Sequence, residues 1–333
     1  MRPRVKRLFI VIVIAALAWS VYWFVGATSS RNAFEAWFDA RRAEGWVAEY
    51  NDFSLAGFPN RFDATWRGLA VADPESGIAV DMPVFQLLAL SYRPTHVIAV
   101  APQDVHFATP RNKYDLESDR LRASLRLRPG TALEVERAVL EGEALQLSGA
   151  ETAAMADLHL AMQRTGETSY RFGLEARDVT PPLDTLRNLL GDTALPAEMQ
   201  FARLDAQATF DRPWDRSALD SARPQPTQLR LDEVSAEWGV MSLRAMGVLD
   251  IDDRGRASGE IDLQATNWQR MLDIVRESEA LSENAVRMLA GALSMAAESS
   301  GNPDRIDIGL TLRDGQVFLG FIPLGPAPLL RLR

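Results

Sequence analysis

The residues able to do chemistry are few and scattered. His96, His106 and His159 are the three histidines of the 333-residue chain, and no two stand at metal-ligand spacing. Asp115, Glu117 and Asp119 alternate along one segment, which sets three carboxylates on one side of a strand. Paired carboxylates can serve as general acid and base. No nucleophile or oxyanion motif accompanies these, so a solvated strand face is the default reading.

Asp250, Asp252, Asp253 and Gly255 superficially resemble a calcium loop. Arg254 occupies the fifth ligand position, however, and Ile261 stands where the bidentate glutamate of position twelve belongs, so a polar hairpin turn fits better. The sequence has no G-x-S-x-G elbow, no H-E-x-x-H, no P-loop and no G-x-G-x-x-G. It has no cysteine, which removes disulfides, thiolate nucleophiles, zinc ribbons and iron–sulfur ligands together. The expectation is a non-catalytic protein without a metal site or cofactor.

What the chain offers instead is apolar surface, beginning with Leu8 to Val25, 18 residues without a charge. As a helix this run spans about 27 Å, close to the hydrocarbon thickness of a bilayer. Arg2, Arg4, Lys6 and Arg7 precede it, and Gly26 to Ser30 carry no charge. The positive-inside rule then keeps the N-terminus in the cytoplasm and places everything from Ser30 onward on the other side. Val25-Gly26-Ala27 also fits a signal-peptidase site, so cleavage after Ala27 is chemically allowed. A retained anchor is the reading preferred here, because the run is longer than a signal core and because Trp19, Tyr22, Trp23 and Phe24 gather at its outer end as membrane-interface residues.

Without the four leading basic residues, the rest of the chain holds 32 Lys plus Arg against 45 Asp plus Glu, a charge of −13. Such a body repels nucleic acid and anionic headgroups at long range. The expected partners are the membrane through the N-terminal helix, a lipid ligand, and envelope proteins, with no nucleic acid.

Ser29 or Ser30 is positioned to cap a separate juxtamembrane helix carrying Phe34, Trp37 and Phe38 and ended by Gly45. Its aromatic stripe suits either the bilayer surface or, more commonly, the following domain. From Trp46 the apolar period becomes two, with Gly, Pro, Asn and Asp between the runs, which predicts strands. Met82 to Tyr92 and His96 to Ala101 are apolar on both faces, the pattern of central strands covered from both sides.

Leu121, Ala123, Leu125 and Leu127 face one way before a turn at Pro129-Gly130; Ala154, Ala156, Leu158, Leu160 and Met162 then pair across Gly166 with Tyr170, Phe172, Leu174 and Ala176. Met199 to Phe210 reads as a strand with a phase slip. Helices are expected at Pro182 to Leu190, Asn267 to Glu277 (capped by Asn267) and Ser282 to Glu298, and a closing hairpin across Asp314-Gly315.

The fold class is therefore α+β: a transmembrane helix, then extended antiparallel β-meanders forming a curved sheet, in two halves of related layout, with a few amphipathic helices. The segments are 1–27 (basic tip and anchor), 28–45 (juxtamembrane helix), 46–191 (first β-rich half) and 192–333 (second half with helices and C-terminal hairpin). Strands with one strictly apolar face need a cover. Covered completely, they make a packed scaffold; left open along Leu125, Leu127, Leu158, Leu160, Phe172 and Leu174, they make a groove for acyl chains. Alternation alone is the same in both.

The basic N-terminus with one span, the turn Gly57-Phe58-Pro59-Asn60-Arg61-Phe62-Asp63, the segment Pro83 to Pro94 with His96 to Val100, and the Asp314-Gly315 hairpin leading to Pro323-Leu324-Gly325-Pro326 resemble one family across nearly the whole chain. It is that of the alphaproteobacterial envelope proteins catalogued as domain of unknown function 2125. More distantly, Leu243 to Leu263, with the helix and hairpin that follow, is similar to the C-terminal pattern of AsmA-like envelope proteins. The resemblances imply an inner-membrane, single-pass protein with a periplasmic β-rich domain, and the second implies a part in lipid traffic or outer-membrane assembly. Neither supplies a catalytic residue.

Overall fold

The computed structural model describes residues 3–182, 185–187, 195–220, 223–278 and 282–332. The chain forms two compact units, Met1–Leu125 and Arg126–Arg333. The boundary expected between residues 191 and 192 lies outside the described residues, as does most of the helix expected at Pro182 to Leu190, of which 185–187 are described as helical.

The first unit opens with α1 (Pro3–Ala43), 41 residues in one helix and about 61 Å long. No break occurs at Ser29 or Ser30, which corrects the expected separate juxtamembrane helix. A serine cap is worth about 1 kcal/mol, and continuous packing of Trp23, Ala27, Phe34 and Phe38 on the sheet outweighs it. The helix stops where expected, with Gly45 at φ 87° just past its end.

The strands of this unit are β1 (Val47–Glu49), β2 (Asp52–Ala56), β3 (Arg61–Ala72), β4 (Ala79–Leu90), β5 (Arg93–Val100), β6 (Asp104–Ala108) and β7 (Lys113–Glu117). β2 and β1 pair side by side along β3, β3 pairs with β4, and β4 carries β5 and then β6 along its other edge, with β7 beyond β6. The core forms where α1 lies on this sheet, around Phe38, Ala48, Ala64, Trp66 and Leu69. β4 and β5 prove half-buried along most of their length, so the expected cover on both faces is not what their apolar runs serve.

β8 (Arg120–Leu127) carries the chain into the second unit, whose strands follow in order: β9 (Val135–Gly149), β10 (Ala153–Arg164), β11 (Ser169–Val179), β12 (Met199–Phe210), β13 (Pro226–Trp238), β14 (Met241–Ile251), β15 (Ala257–Thr266), β16 (Arg305–Arg313), β17 (Gln316–Leu319) and β18 (Ile322–Pro326). From β9 to β18 each pairs antiparallel with the next, a meander of ten strands. α2 (Ser217–Asp220) is a single turn in the connection between β12 and β13, and α3 (Trp268–Glu277) and α4 (Glu283–Ser300) interrupt the meander between β15 and β16.

The hairpin at Asp314-Gly315 has both residues at positive φ, 53° and 74°, as a two-residue type I′ turn requires. Ser282 Oγ accepts the Ala285 N–H at 3.3 Å and caps α4. Asn267 holds the cap position of α3 without capping it: it sits in the left-handed region and its amide donates to the Val240 carbonyl.

The expected phase slip belongs to a different strand. Ala202, Leu204, Ala206, Ala208 and Phe210 keep one phase along β12, and Met199 and Phe201 face the other way. The irregularities are in β13: Asp205 pairs with Glu233 and Ala206 with Leu231, leaving Asp232 as an extra residue, and Thr209 pairs with Gln228 and Phe210 with Pro226, leaving Thr227 as another. A second phase change occurs near Ala144, whose φ is 50°; across from this stretch of β9, Ala156 is exposed and Met155 half-buried, so Ala156 leaves the apolar face expected for it.

Candidate functional site

The polar residues singled out by sequence do not converge. His96 Nε2 lies 2.9 Å from Ser124 Oγ, His159 Nδ1 lies 3.8 Å from Glu141, and His106 Nδ1 lies 2.5 Å from Asp115 across the β6–β7 pair. Among the described residues no group of three or more His, Asp or Glu is placed to hold a metal ion. The Asp250–Gly255 segment is a turn closed on itself. Asp252 Oδ1 accepts the backbone N–H groups of Arg254 and Arg256, and Oδ2 accepts the Arg256 side chain at 2.9 Å. The backbone bond from Arg256, first among these, holds the Asp252 carboxyl below its ordinary range.

The exposed His106–Asp115 pair makes a direct prediction. The hydrogen bond to Asp115 raises the His106 pKa above its ordinary value. A raised folded-state pKa means that the pair's contribution is present below the ordinary histidine value and lost as pH rises through the raised one. NMR titration of the His106 ring is expected to show a midpoint above that of a free imidazole and to return toward it in Asp115→Asn.

The large feature of the second unit is instead an apolar face, visible once the strand registers are joined. Leu140, Leu160, Leu174, Leu204, Val234, Ala245, Leu263 and Ile308 stand directly opposite one another on eight successive strands. One row along, Ala138, Met162, Phe172, Ala206, Leu231, Gly247, Ile261, Leu310, Leu319 and Ile322 cross all ten strands. On the other side of the first row, Gly142, Leu158, Ala176, Ala202, Ala236, Leu243, Ala265 and Ile306 cross the eight strands β9 to β16. Directly opposed residues in an antiparallel pair share a face, so these rows form one surface without a charge.

Glycines let the strands lie flat against each other here. A Cβ on Gly247 would stand 2.4 Å from the Glu260 carbonyl oxygen, and one on Gly259 (φ 146°) would stand 2.2 Å from that of Val248.

The reverse face is charged. Arg171 meets Asp205 through two hydrogen bonds, of 2.7 and 2.5 Å, which hold the Asp205 carboxyl below its ordinary range. Arg203 lies 3.8 Å from both Glu175 and Glu233, and Arg244 lies 3.5 Å from Glu233. This face is solvated, which fixes the register: a one-residue slip would carry the charges onto the apolar side.

Cover is unequal along the apolar face. α3 and α4 pack Trp268, Leu272, Val286, Leu293 and Ala297 over Ala265 and Ile306, and the chain end brings Ala327 and Leu330 to Leu249, Ala257 and Leu312. Trp214 closes the edge near Phe210 and Tyr170, its backbone N–H donating to the Tyr170 hydroxyl at 3.0 Å. Among the described residues α3 and α4 pack on β14, β15, β16 and β18. Toward β9–β13, Leu140, Leu160, Leu174, Leu204 and Val234 are half-buried.

Of the groove residues expected from sequence, Leu158, Leu160, Phe172 and Leu174 share this surface. Leu160 and Leu174 stand directly opposite each other, Leu158 lies opposite Ala176 and Phe172 opposite Met162. Leu125 ends the first unit and is 39% exposed, and Leu127, the second residue of the second unit, is half-buried. Sequence reading missed the extension of the face through β12 and β13, since no alternation within one strand reports which residue of the next strand lies opposite.

The first unit has its own apolar concavity. A cavity of about 540 Å³ opens between α1 and β3–β4, lined by Phe34, Trp37, Phe38, Trp66, Val71, Phe85 and their neighbours. Below it on the helix, Leu8 and Val25 bound the charge-free run as expected, both 61% exposed. One helix, with its apolar window near the N-terminus, is long and apolar enough to span a membrane. Trp19, Tyr22 and Trp23, expected as membrane-interface residues, direct their polar atoms to the protein: to the carbonyls of Pro59, Ser91 and Arg61 at 2.9, 2.6 and 2.8 Å. Trp23 is buried; Phe24 remains 61% exposed.

No curated protein and no solved structure matches this chain. A family model described as "Uncharacterized protein conserved in bacteria (DUF2125)" matches residues 23–328, which takes in the docked end of α1 and every strand of both units. The chain belongs to that family.

Proposed function

We propose that this is a membrane-anchored, non-catalytic protein that binds acyl chains of a lipid on the apolar face of its second unit. The observation that carries the reading is the surface of β9–β13, three rows deep, free of charge and half-buried except at the small residues Gly142, Ala176 and Ala206, backed by a solvated charged face. From β9 to β13 it measures roughly 19 Å across, at about 4.8 Å per strand. Each methylene moved from water onto such a surface contributes about 0.8 kcal/mol, so one acyl chain supplies ample binding energy without a polar contact.

The basic N-terminus supports an anchor in the inner membrane with both units on the periplasmic side, the far side from the cytoplasm. The likeness of Leu243 to Leu263 to AsmA-like proteins points toward the same kind of task. The scaffold alternative draws on β14–β16, where α3 and α4 cover the face. Lipid extracted from the detergent-purified full chain after extensive exchange tests the choice. A retained, stoichiometric glycerolipid is expected; a chain that exchanges to a lipid-free state and keeps its fold supports the scaffold.

A further inference from the structure

We propose that the Phe58-Pro59 turn enters the bilayer beside α1, so that the first unit sits in the far leaflet on a second, monotopic contact. The turn is fastened to the helix at several points. The indole of Trp19 donates to the Pro59 carbonyl at 2.9 Å and that of Trp23 to the Arg61 carbonyl at 2.8 Å, while the Tyr22 hydroxyl donates to Ser91 at 2.6 Å. Ser91 is fully buried and its backbone N–H and hydroxyl both return to the same turn, at Asn60 and Pro59. At Gly26 a Cβ would lie 2.7 Å from the Phe62 ring, so helix and turn meet at closest approach. The turn therefore keeps its height on the helix.

That height is too low for a turn outside the membrane. If the turn stayed clear of the hydrocarbon, the uncharged run left to cross would be Leu8 to Ala18, eleven residues, about 16 Å. The hydrocarbon is about 30 Å thick, and tilting the helix only shortens its reach. Starting from Arg7 at the inner boundary, a 30 Å crossing ends about twenty residues later, near Ala27, with Trp19 about 12 Å beneath that level.

The side chains at the tip suit that depth. Phe58 is 52% exposed, Phe24 61% and Tyr92 57%, and the Phe24 and Phe58 rings stack 5.7 Å apart. The nearest charge on the turn, Arg61, is paired with Asp63 at 3.0 Å. The occupant is the far leaflet of a bilayer, from its acyl chains up to the headgroup boundary, where amphipathic rings are favoured. The inference rests on the anchor and is independent of lipid binding by the second unit.

The chain has no cysteine, so single substitutions report cleanly. Nitroxide labels on full-length Phe58→Cys, Tyr92→Cys, Ile14→Cys and Lys113→Cys, reconstituted in phosphatidylethanolamine–phosphatidylglycerol vesicles, are compared by collision with oxygen and with a water-soluble nickel chelate. Positions 58 and 92 are expected to show a several-fold higher oxygen-to-nickel ratio than 113, approaching that at 14. Ratios at 58 and 92 equal to that at 113, with 14 in lipid, overturn the tip alone; water access at 14 as well overturns the anchor and the tip together.

Discussion

Trp66→Ala is expected to destabilise the first unit by about 3–5 kcal/mol, the range for deleting a buried tryptophan. Trp66 is 3% exposed, and its ring meets Phe34 at 4.9 Å, Phe53 at 5.0 Å, Phe85 at 6.0 Å and Phe38 at 6.3 Å between centroids. Two of those partners are on α1 and two on β2 and β4, so the indole is where helix and sheet are joined. Such ring pairs add about 0.5–1.5 kcal/mol each beyond area burial. The void would also merge with the cavity beside it, which Trp66 already lines, and the site would have little left to collapse onto. Trp66→Phe, which keeps most of the contact, is expected to lose less than half as much. Denaturant titration of the full chain in mild detergent, followed by near-UV circular dichroism, checks both; a loss under about 1 kcal/mol for Trp66→Ala contradicts this packing.

Much of this architecture is local and therefore legible. Asp314-Gly315 needs only its own backbone preferences to make a hairpin, and Ser282 needs only the N–H three residues on to cap α4. The strands announce themselves by period two because one face is apolar and the other charged. What sequence could not show is set by partners distant along the chain.

Trp19, Tyr22 and Trp23 look like headgroup residues because their composition and position match that role. Their actual acceptors, Pro59, Ser91 and Arg61, are 38 to 69 residues away. Ser29 and Ser30 look like caps, but the helix runs through them because its next two turns dock. Leu158, Leu160, Phe172 and Leu174 could be picked from hairpin alternation. Leu204 and Val234 could not be placed in their row, since that depends on the strand order and on an extra residue at Asp232.

The second large effect concerns that row. Leu174→Glu combined with Leu204→Glu sets two carboxylates side by side, since the residues are directly opposed across β11 and β12. Under an acyl chain each unpaired carboxylate costs several kcal/mol, so bound lipid is expected to fall by roughly tenfold or more. Both positions are half-buried, and with no lipid present the carboxylates reach water, so the fold is expected to survive with its far-UV circular dichroism unchanged. If this face were instead a closed core, the same pair would unfold the unit. Fold and lipid content measured on one preparation therefore separate the readings. The control is Arg203→Gln on the reverse face, which leaves the apolar rows intact and is expected to keep its lipid.

The most direct test of the account is photo-crosslinking in growing cells. Benzoylphenylalanine replaces Leu204 on the apolar face or Arg203, its neighbour on the charged face, in cells fed radioactive phosphate. The account predicts a labelled phospholipid adduct on irradiation at 204 and none at 203. Absence of an adduct at 204, or equal labelling at both positions, contradicts it.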